Sequence, residues 1–334
     1  MAIMPASLLG ETRMQNVLQL LQDGEFHSGE ALGRVLGVSR SAVWKRLQGL
    51  EDDLGLHIFR VRGRGYRLAS PLSLLEPALI ADACAACDWT AEVFPSIDST
   101  NAQALRQLAA GCPAPLLVLA EKQESGRGRR GRAWVSPFAE NLYYSLGLRI
   151  ESGSYSLDGL SLTVGIAVLR ALQESGCVDA GLKWPNDVLV AGRKIAGVLL
   201  ELSGDPAGIC QVVVGVGVNV NMLPGASVAI DQPWTSLREQ SGVLVDRTAL
   251  VLCLNRWLAH YLALHAAQGF AGVRVEWEAE HLWQGRAVTL SAGPQQVEGI
   301  VRGVDKQGAL RLEVAGEERQ YSGGELSLRL RNDS

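Results

Sequence analysis

The chain has 334 residues, a formal net charge of −4, and 47% hydrophobic residues. At roughly 150 residues per domain this length suits two or three domains, and the apolar content argues against general disorder. The opening MAIMPASLLGETRMQ has no basic stretch followed by a long apolar run, and nowhere do about eighteen apolar residues stand together, so a secretory leader and a membrane span are not expected and a cytoplasmic location is. Cysteines at 84, 87, 112, 177, 210 and 253 are too sparse for a disulfide scaffold. Cys84 and Cys87 have motif spacing but lie in an alanine-rich helical stretch and read as inert. His260 and His265, in a long apolar helix pattern, read as packing residues, and no protein-built metal cage is expected.

Residues 1–70 carry nine Lys or Arg against seven Asp or Glu, net +2, which leaves −6 for the remainder. Val17, Leu18, Leu20 and Leu21 recur at helical spacing before the turn DGEFHS. Ser28 is placed to cap a second helix, with Glu30 opposing its dipole and Leu32, Val35 and Leu36 as its buried stripe. After Gly37, Ser39 opens a third helix with Val43, Leu47 and Leu50 inward and Arg40, Ser41, Trp44, Lys45 and Gln48 outward. The acids of EDDLGL follow it, and HIFRVRGRGYRL then reads as a hairpin with Arg62 and Arg64 at its tip. This is a winged helix-turn-helix pattern. Arginines at both places where a phosphate backbone would pass favour DNA, against a wing used for protein contacts.

Helical stretches near 78–86 and 100–110 alternate with strand-like runs at 116–121 and 141–150. A helix follows over 160–174, then two strands joined near Ala191 and Gly192, and a glycine-broken strand at 211–221. The pattern predicts an α+β layer with a mixed or antiparallel sheet. The loop GRGRRG at 126–131 fits a dinucleotide fingerprint by letter, but no helical period follows it, as that fingerprint requires. Its glycines admit close backbone approach and Arg127, Arg129, Arg130 and Arg132 surround it with cations, which suits a phosphate or adenylate loop, with a basic RNA-binding loop as the other reading. In KWPNDVLVAGRKIAGVLLEL at 183–202, Lys183, Asn186, Asp187 and Lys194 interrupt apolar strands where burial without partners is costly; solvent-facing hairpin positions are the alternative.

Together STN at 99–101, EKQESGRGRRGRAW at 121–134, KWPNDVLV at 183–190, RKIAGVLLEL at 193–202 and GVGVNVN at 215–221, behind a winged helix, resemble the bacterial bifunctional biotin protein ligase and biotin operon repressor family. The resemblance implies a winged helix-turn-helix at 1–70, a catalytic domain like class II aminoacyl-tRNA synthetases and lipoate ligases at 78–278, and a small SH3-like β barrel at 284–334. The tail's own strands, around AVTL, EGIVRGV, ALRLEV and LSLRL with a turn at Lys306 to Gly308, agree.

The resemblance further implies formation of biotinyl-5'-AMP from biotin and ATP with Mg2+, and biotin transfer to a lysine of the biotin carboxyl carrier protein of acetyl-CoA carboxylase. The adenylate is also expected to act as corepressor by favouring a homodimer on operator DNA. Arg129, Lys183, Asp187 and Lys194 match the catalytic positions, with Asp187 as an orienting or proton-accepting carboxylate. Ser99, Thr100, Asn101, Gln123, Gly126, Arg127, Gly128, Arg129, Lys194 and Gly197 match the biotin site. Arg129, Arg132, Trp134, Asn186 and Asn219 match the ATP site, and Arg40, Ser41, Lys45, Arg46, Arg62 and Arg64 the DNA contacts. Read without the resemblance, an ordinary helix cap is the alternative for Ser99 and a plain core aromatic that for Trp134. A ligand-sensing repressor with a catalytically weak body, and a lipoate-type ligase, are the alternative functions.

Overall fold

The computed structural model describes residues 17–150, 157–204, 210–225, 230–322 and 326–331. In the head, residues 17–21 are helical (α1), followed by α2 (Gly29–Leu36), α3 (Arg40–Leu54), β1 (Ile58–Val61) and β2 (Gly65–Leu68). Ser28 and Ser39 cap α2 and α3, their hydroxyls accepting from the Ala31 and Ala42 N–H groups at 3.0 and 3.3 Å. Val17, Leu21, Leu32, Val43, Leu47 and Leu50 pack with Ile58, Tyr66 and Leu68 into one core. The expected stripe of α2 needs one correction: Val35 is 68% exposed, and the buried face runs through Gly29, Leu32 and Gly33. Position 35 lies roughly 110° round the helix from the centre of that face.

The acids Glu51, Asp52 and Asp53 stand in the last turn of α3 and not beyond it, at the negative end of its dipole. Glu51 is offset by its partners, accepting from the Ile58 N–H at 3.1 Å and pairing with Arg60, so it anchors the wing to the helix. The wing pairs antiparallel from Ile58↔Leu68 to Val61↔Gly65.

The body is a seven-stranded mixed sheet in the order β3-β4-β5-β9-β8-β7-β6. Its strands are β3 (Thr90–Phe94), β4 (Leu116–Ala120), β5 (Leu142–Ile150), β6 (Ala180–Lys183), β7 (Asp187–Val190), β8 (Arg193–Gly204) and β9 (Cys210–Val218). Only β3 and β4 run parallel among these neighbours. Alternation along β4 divides the packing. Leu117 and Leu119 face the main core under α6 (Leu160–Glu174) and α8 (Arg247–Gln268), while Leu116 and Val118 face Ala104 and Leu108 of α5 (Thr100–Ala109). The face carrying α5 is the one left free to hold a site. Among the described residues no helix is long and apolar enough to cross a membrane.

The tail is a five-stranded antiparallel sheet in the order β13-β12-β11-β10-β14, the last strand returning to pair with the first. Four strands, β10 (Ala287–Ala292), β11 (Gln295–Val304), β12 (Leu310–Val314) and β14 (Leu326–Leu330), fall where the sequence placed them. The fifth, β13 (Glu317–Tyr321), has a nearly all-exposed EERQY and no alternation to announce it. Head and body are stitched together: Phe138 and Ala139 of the body complete the head's core, and buried Arg247 pairs with Glu121 while donating to the Ser73 and Asn141 carbonyls at 2.7 and 2.9 Å.

Candidate active site and nucleic-acid face

Strand register gathers the charged residues of the KWPND and RKIAG segments. Lys183 is opposite Asp187 in the β6–β7 pair, Asp187 is opposite Gly197 in β7–β8, and a bulge after Val188 brings Lys194 to the same place. Asp187 therefore lies between two ammonium groups, its Oδ1 2.6 Å from Lys194 Nζ and its Oδ2 3.5 Å from Lys183 Nζ. Lys183 is also 5.0 Å from the centre of the Trp283 ring, and Lys194 5.4 Å from that of Trp134.

Burial pushes the Lys183 ammonium below its ordinary value against the pull of Asp187; burial likewise lowers Arg129, again opposed by Asp187. Two half-buried lysines beside one carboxylate leave net positive charge in a partly desolvated place. An anion entering there is strongly favoured.

The loop after β4 closes on this cluster. Arg129, in a single 3-10 turn Arg129–Gly131, donates from Nη1 to Asn186 Oδ1 at 3.0 Å, and no α-helix follows, so the dinucleotide reading fails on structure as it does on sequence. Arg127 Nη2 is 3.1 Å from Glu201 Oε2, which also accepts from Asn101 Nδ2 at 2.7 Å.

At the other end sits a neutral polar nest. Ser99 does cap α5, accepting from the Ala102 N–H, yet it also lines the pocket. Gln123 Oε1 accepts from the Thr100 N–H at 2.9 Å and from its hydroxyl at 3.1 Å, and the buried Ser145 hydroxyl lies 2.7 Å from Thr100 Oγ1 and 2.5 Å from Asn101 Oδ1. Glycines make room for this. A Cβ at Gly217 would stand 2.5 Å from the Trp134 ring, and one at Gly215 would overlap the Asn101 amide.

All of this opens into one pocket of about 830 Å³. It brings together Ser99, Thr100, Asn101, Gln123, Arg127, Gly128, Arg129, Arg132, Trp134, Lys183, Asn186, Asp187, Lys194, Gly197 and Asn219. Gly126 alone of the expected set stands behind the lining, where a side chain would collide with Ser136 Oγ and the Trp134 carbonyl. Asn219 lines the pocket, but its Nδ2 reaches the Lys194 and Thr235 carbonyls at 3.3 and 3.0 Å, which pins the segment 233–235 to β8. The Trp134 indole N–H is buried with no partner among the described residues.

Sequence reasoning missed Ser145, Glu201, the segment 230–234, Trp283 and Arg329, all but Glu201 lining or supporting this pocket directly. Their signals are weak. A serine inside YYSL and an arginine in a short amphipathic tail strand are ordinary until the fold sets the first, buried, behind Thr100 and Asn101 and the second on the pocket wall.

In the head a groove runs between the start of α3 and the wing, lined by Ser39, Arg40, Trp44, Arg62 and Gly63 among others. Arg40, Ser41, Lys45, Arg62 and Arg64 are exposed there or beside it and Arg46 is half-buried, while Arg64 lies 4.1 Å over the Phe26 ring. Exposed cations on a helix and on the wing beside it are the footprint of a duplex reader.

Fold and site thus define a class: a mixed-sheet body with a cation-lined pocket, carried behind a winged helix. Residues 93–219 match the Biotin/lipoate A/B protein ligase family, 13–67 the HTH domain family and 284–329 the Biotin protein ligase C terminal domain family. The chain is 41% identical to the bifunctional ligase/repressor BirA of Escherichia coli (strain K12) over 94% of its own length and 96% of that protein's. It is 31% identical to the bifunctional ligase/repressor BirA of Bacillus subtilis (strain 168), over 87% and 90%. Among solved structures, the biotin protein ligase from Aquifex aeolicus in complex with biotin and ATP superposes with a TM-score of 0.63 at 29% identity, covering 72% of this chain and 99% of that one. The chain belongs to the family of bifunctional biotin protein ligases and repressors.

Proposed function

We propose that the pocket joins biotin to ATP and then passes biotin to a protein lysine. The observation that carries this is the meeting of a neutral hydrogen-bonding nest (Thr100, Asn101, Gln123) with a half-buried cationic cluster (Arg129, Lys183, Lys194) inside one cavity. A ureido bicycle suits the first and an anion the second.

In the first step a biotin carboxylate oxygen attacks the α-phosphorus of ATP and pyrophosphate leaves. Two like charges at 4 Å repel by about 4 kcal/mol at an effective dielectric near 20, so the reaction needs cations at that point. Arg127, Arg129 and Lys194 serve the carboxylate and α-phosphate; Arg132 and Arg329, at the mouth, are available to the departing phosphates. Trp134 offers adenine a face and an N–H that has no partner among the described residues, and Asn186 and Asn219 line the same pocket. In the second step a lysine amine attacks the acyl carbonyl, AMP leaves, and Asp187 orients or receives the amine's proton.

Among the described residues no three His, Cys, Asp or Glu side chains gather to hold a metal ion, and Asp187 is engaged with two lysines. Magnesium fits this donor set as an ion carried on the triphosphate oxygens and water, where it neutralises phosphate charge.

The acceptor is the biotin carboxyl carrier protein of acetyl-CoA carboxylase, in keeping with the relatives named biotin--[acetyl-CoA-carboxylase] ligase. The head binds a two-fold operator as a homodimer favoured by the adenylate, with Arg40, Ser41, Lys45 and Arg46 toward bases and nearby phosphates and Arg62 and Arg64 on the flanking backbone. Support for pairing lies in β8, which outruns β7 and leaves an open edge near 199–204 with Leu202 55% exposed. The units correspond to 1–70, 78–278 and 284–334.

Pyrophosphate–ATP exchange that requires biotin, and not lipoate, is the expected result. Lipoate-dependent exchange would move the chain to the lipoate ligases, and biotin binding without exchange to the ligand-sensing repressors.

A further inference from the structure

The tail reaches the KWPND turn from behind, through one tryptophan. Trp184 stands between Lys183 and Asn186 and is 1% exposed. Its indole N–H donates to the Gly308 carbonyl of the tail at 3.0 Å, and its backbone N–H points at His281 Nε2 at 3.5 Å. The strand before it is held by the same segment: the Leu182 N–H donates to the Glu280 carbonyl at 2.8 Å and the Leu282 N–H to the Leu182 carbonyl at 3.0 Å.

Gly308 is itself fixed. It lies in a turn where Asp305 Oδ1 accepts from the Gln307 and Ala309 N–H groups at 2.9 and 2.8 Å, and a Cβ on it would stand 2.9 Å from Gly159 Cα at the start of α6. The turn is therefore wedged between helix and indole. A plain core contact is satisfied by any aromatic ring, but a buried indole N–H requires an acceptor, and here the acceptor belongs to the tail.

We propose that Trp184 is a positioning residue through which the tail's turn 305–309 sets Lys183 and Asp187 in the pocket. The proposal rests on the reading of that pocket as the adenylating site. One side chain away from Trp184, Lys183 keeps its distances to Asp187 and Trp283 only while the turn stays in place. The tail then acts on the chemical step without touching substrate at this point.

The test uses the full chain with Trp184→Phe, Asp305→Ala and the double variant, in steady-state biotin-dependent pyrophosphate–ATP exchange, with biotin binding by calorimetry. Trp184→Phe keeps the ring and loses the N–H; kcat falls roughly tenfold while the KM and Kd for biotin stay within about twofold. Asp305→Ala, remote from the pocket, lowers kcat in the same direction, and the double variant is no slower than Trp184→Phe alone, because both break one connection. Unchanged kcat in Trp184→Phe overturns the proposal, as do losses that multiply in the double variant, or a fall in biotin affinity together with the melting temperature. Absence of exchange in the unaltered protein overturns the reading of the pocket and this proposal with it.

Discussion

A glycine inside a strand usually weakens it, yet β9 carries Gly215 and Gly217 toward the pocket, each where a side chain of the site lies against the sheet. Gly217→Ala is expected to push Trp134 off its place and raise the KM for ATP in the exchange reaction roughly tenfold, with biotin affinity little changed. An unaltered KM for ATP would remove Trp134 from the nucleotide's seat. His281 is the other residue whose surroundings decide its behaviour. Burial lowers its imidazole to about 4 from the ordinary 6.5, and it is stacked 4.6 Å from the Trp277 ring. A base with a depressed pKa stays neutral in the folded chain while the unfolded chain protonates, so stability is full above about 6.5 and is lost as pH falls from there toward about 4. The slope from this one group is at most about 1.4 kcal/mol per pH unit. Denaturant unfolding of His281→Phe should show a flatter dependence across that window than the unaltered chain; parallel curves would mean that the ring already meets water.

The wing depends on a pairing made by one of the acids that the sequence placed after the third helix. Glu51 holds the Ile58 N–H and Arg60, so Glu51→Ala frees the hairpin while sparing the recognition surface. Arg64, resting on Phe26, is poised for a phosphate rather than a base, and Arg64→Ala should weaken operator binding and reduce the slope of log affinity against log salt by about one, with ligation unaffected. An unchanged slope would take Arg64 off the backbone. The same elements show what was legible. Serine caps, a glycine stop and helical periods announce α2 and α3 because those signals are local. Val35 misled because this eight-residue helix buries its glycines instead, Gly29 against the Tyr66 and Arg40 side chains and Gly33 against the Val38 carbonyl, a preference for close approach that apolar periodicity does not encode. Strand β13 was invisible because both of its faces are wet. In the site, Lys183, Asp187 and Lys194 stood out since charges inside apolar strands demand partners. Ser145, Trp283 and Arg329 did not, since they join the pocket through pairings between distant segments.

At the scale of the molecule, one cavity is assembled from parts that the chain separates widely: a loop after β4, a hairpin of β6 to β8, and the last strand of the tail. No part closes it alone. Loop and hairpin are joined where Arg129 donates to Asn186, and Arg129 faces the same space as Lys183 and Lys194. Removing it with Arg129→Gly takes away a cation and the tie that holds the loop over the turn. A charge-assisted hydrogen bond is worth about 1.5–3 kcal/mol, so an anionic adenylate should leave roughly ten- to a hundredfold faster. Its formation persists, because Lys183 and Lys194 still offset the phosphate. Incubation with biotin and labelled ATP followed by rapid gel filtration reads this directly: the unaltered protein carries the labelled adenylate through the column, and the variant leaves it behind in the small-molecule fractions. Equal retention by both would mean that the loop lies over the pocket without holding its product, and that the hairpin cations do that work unaided.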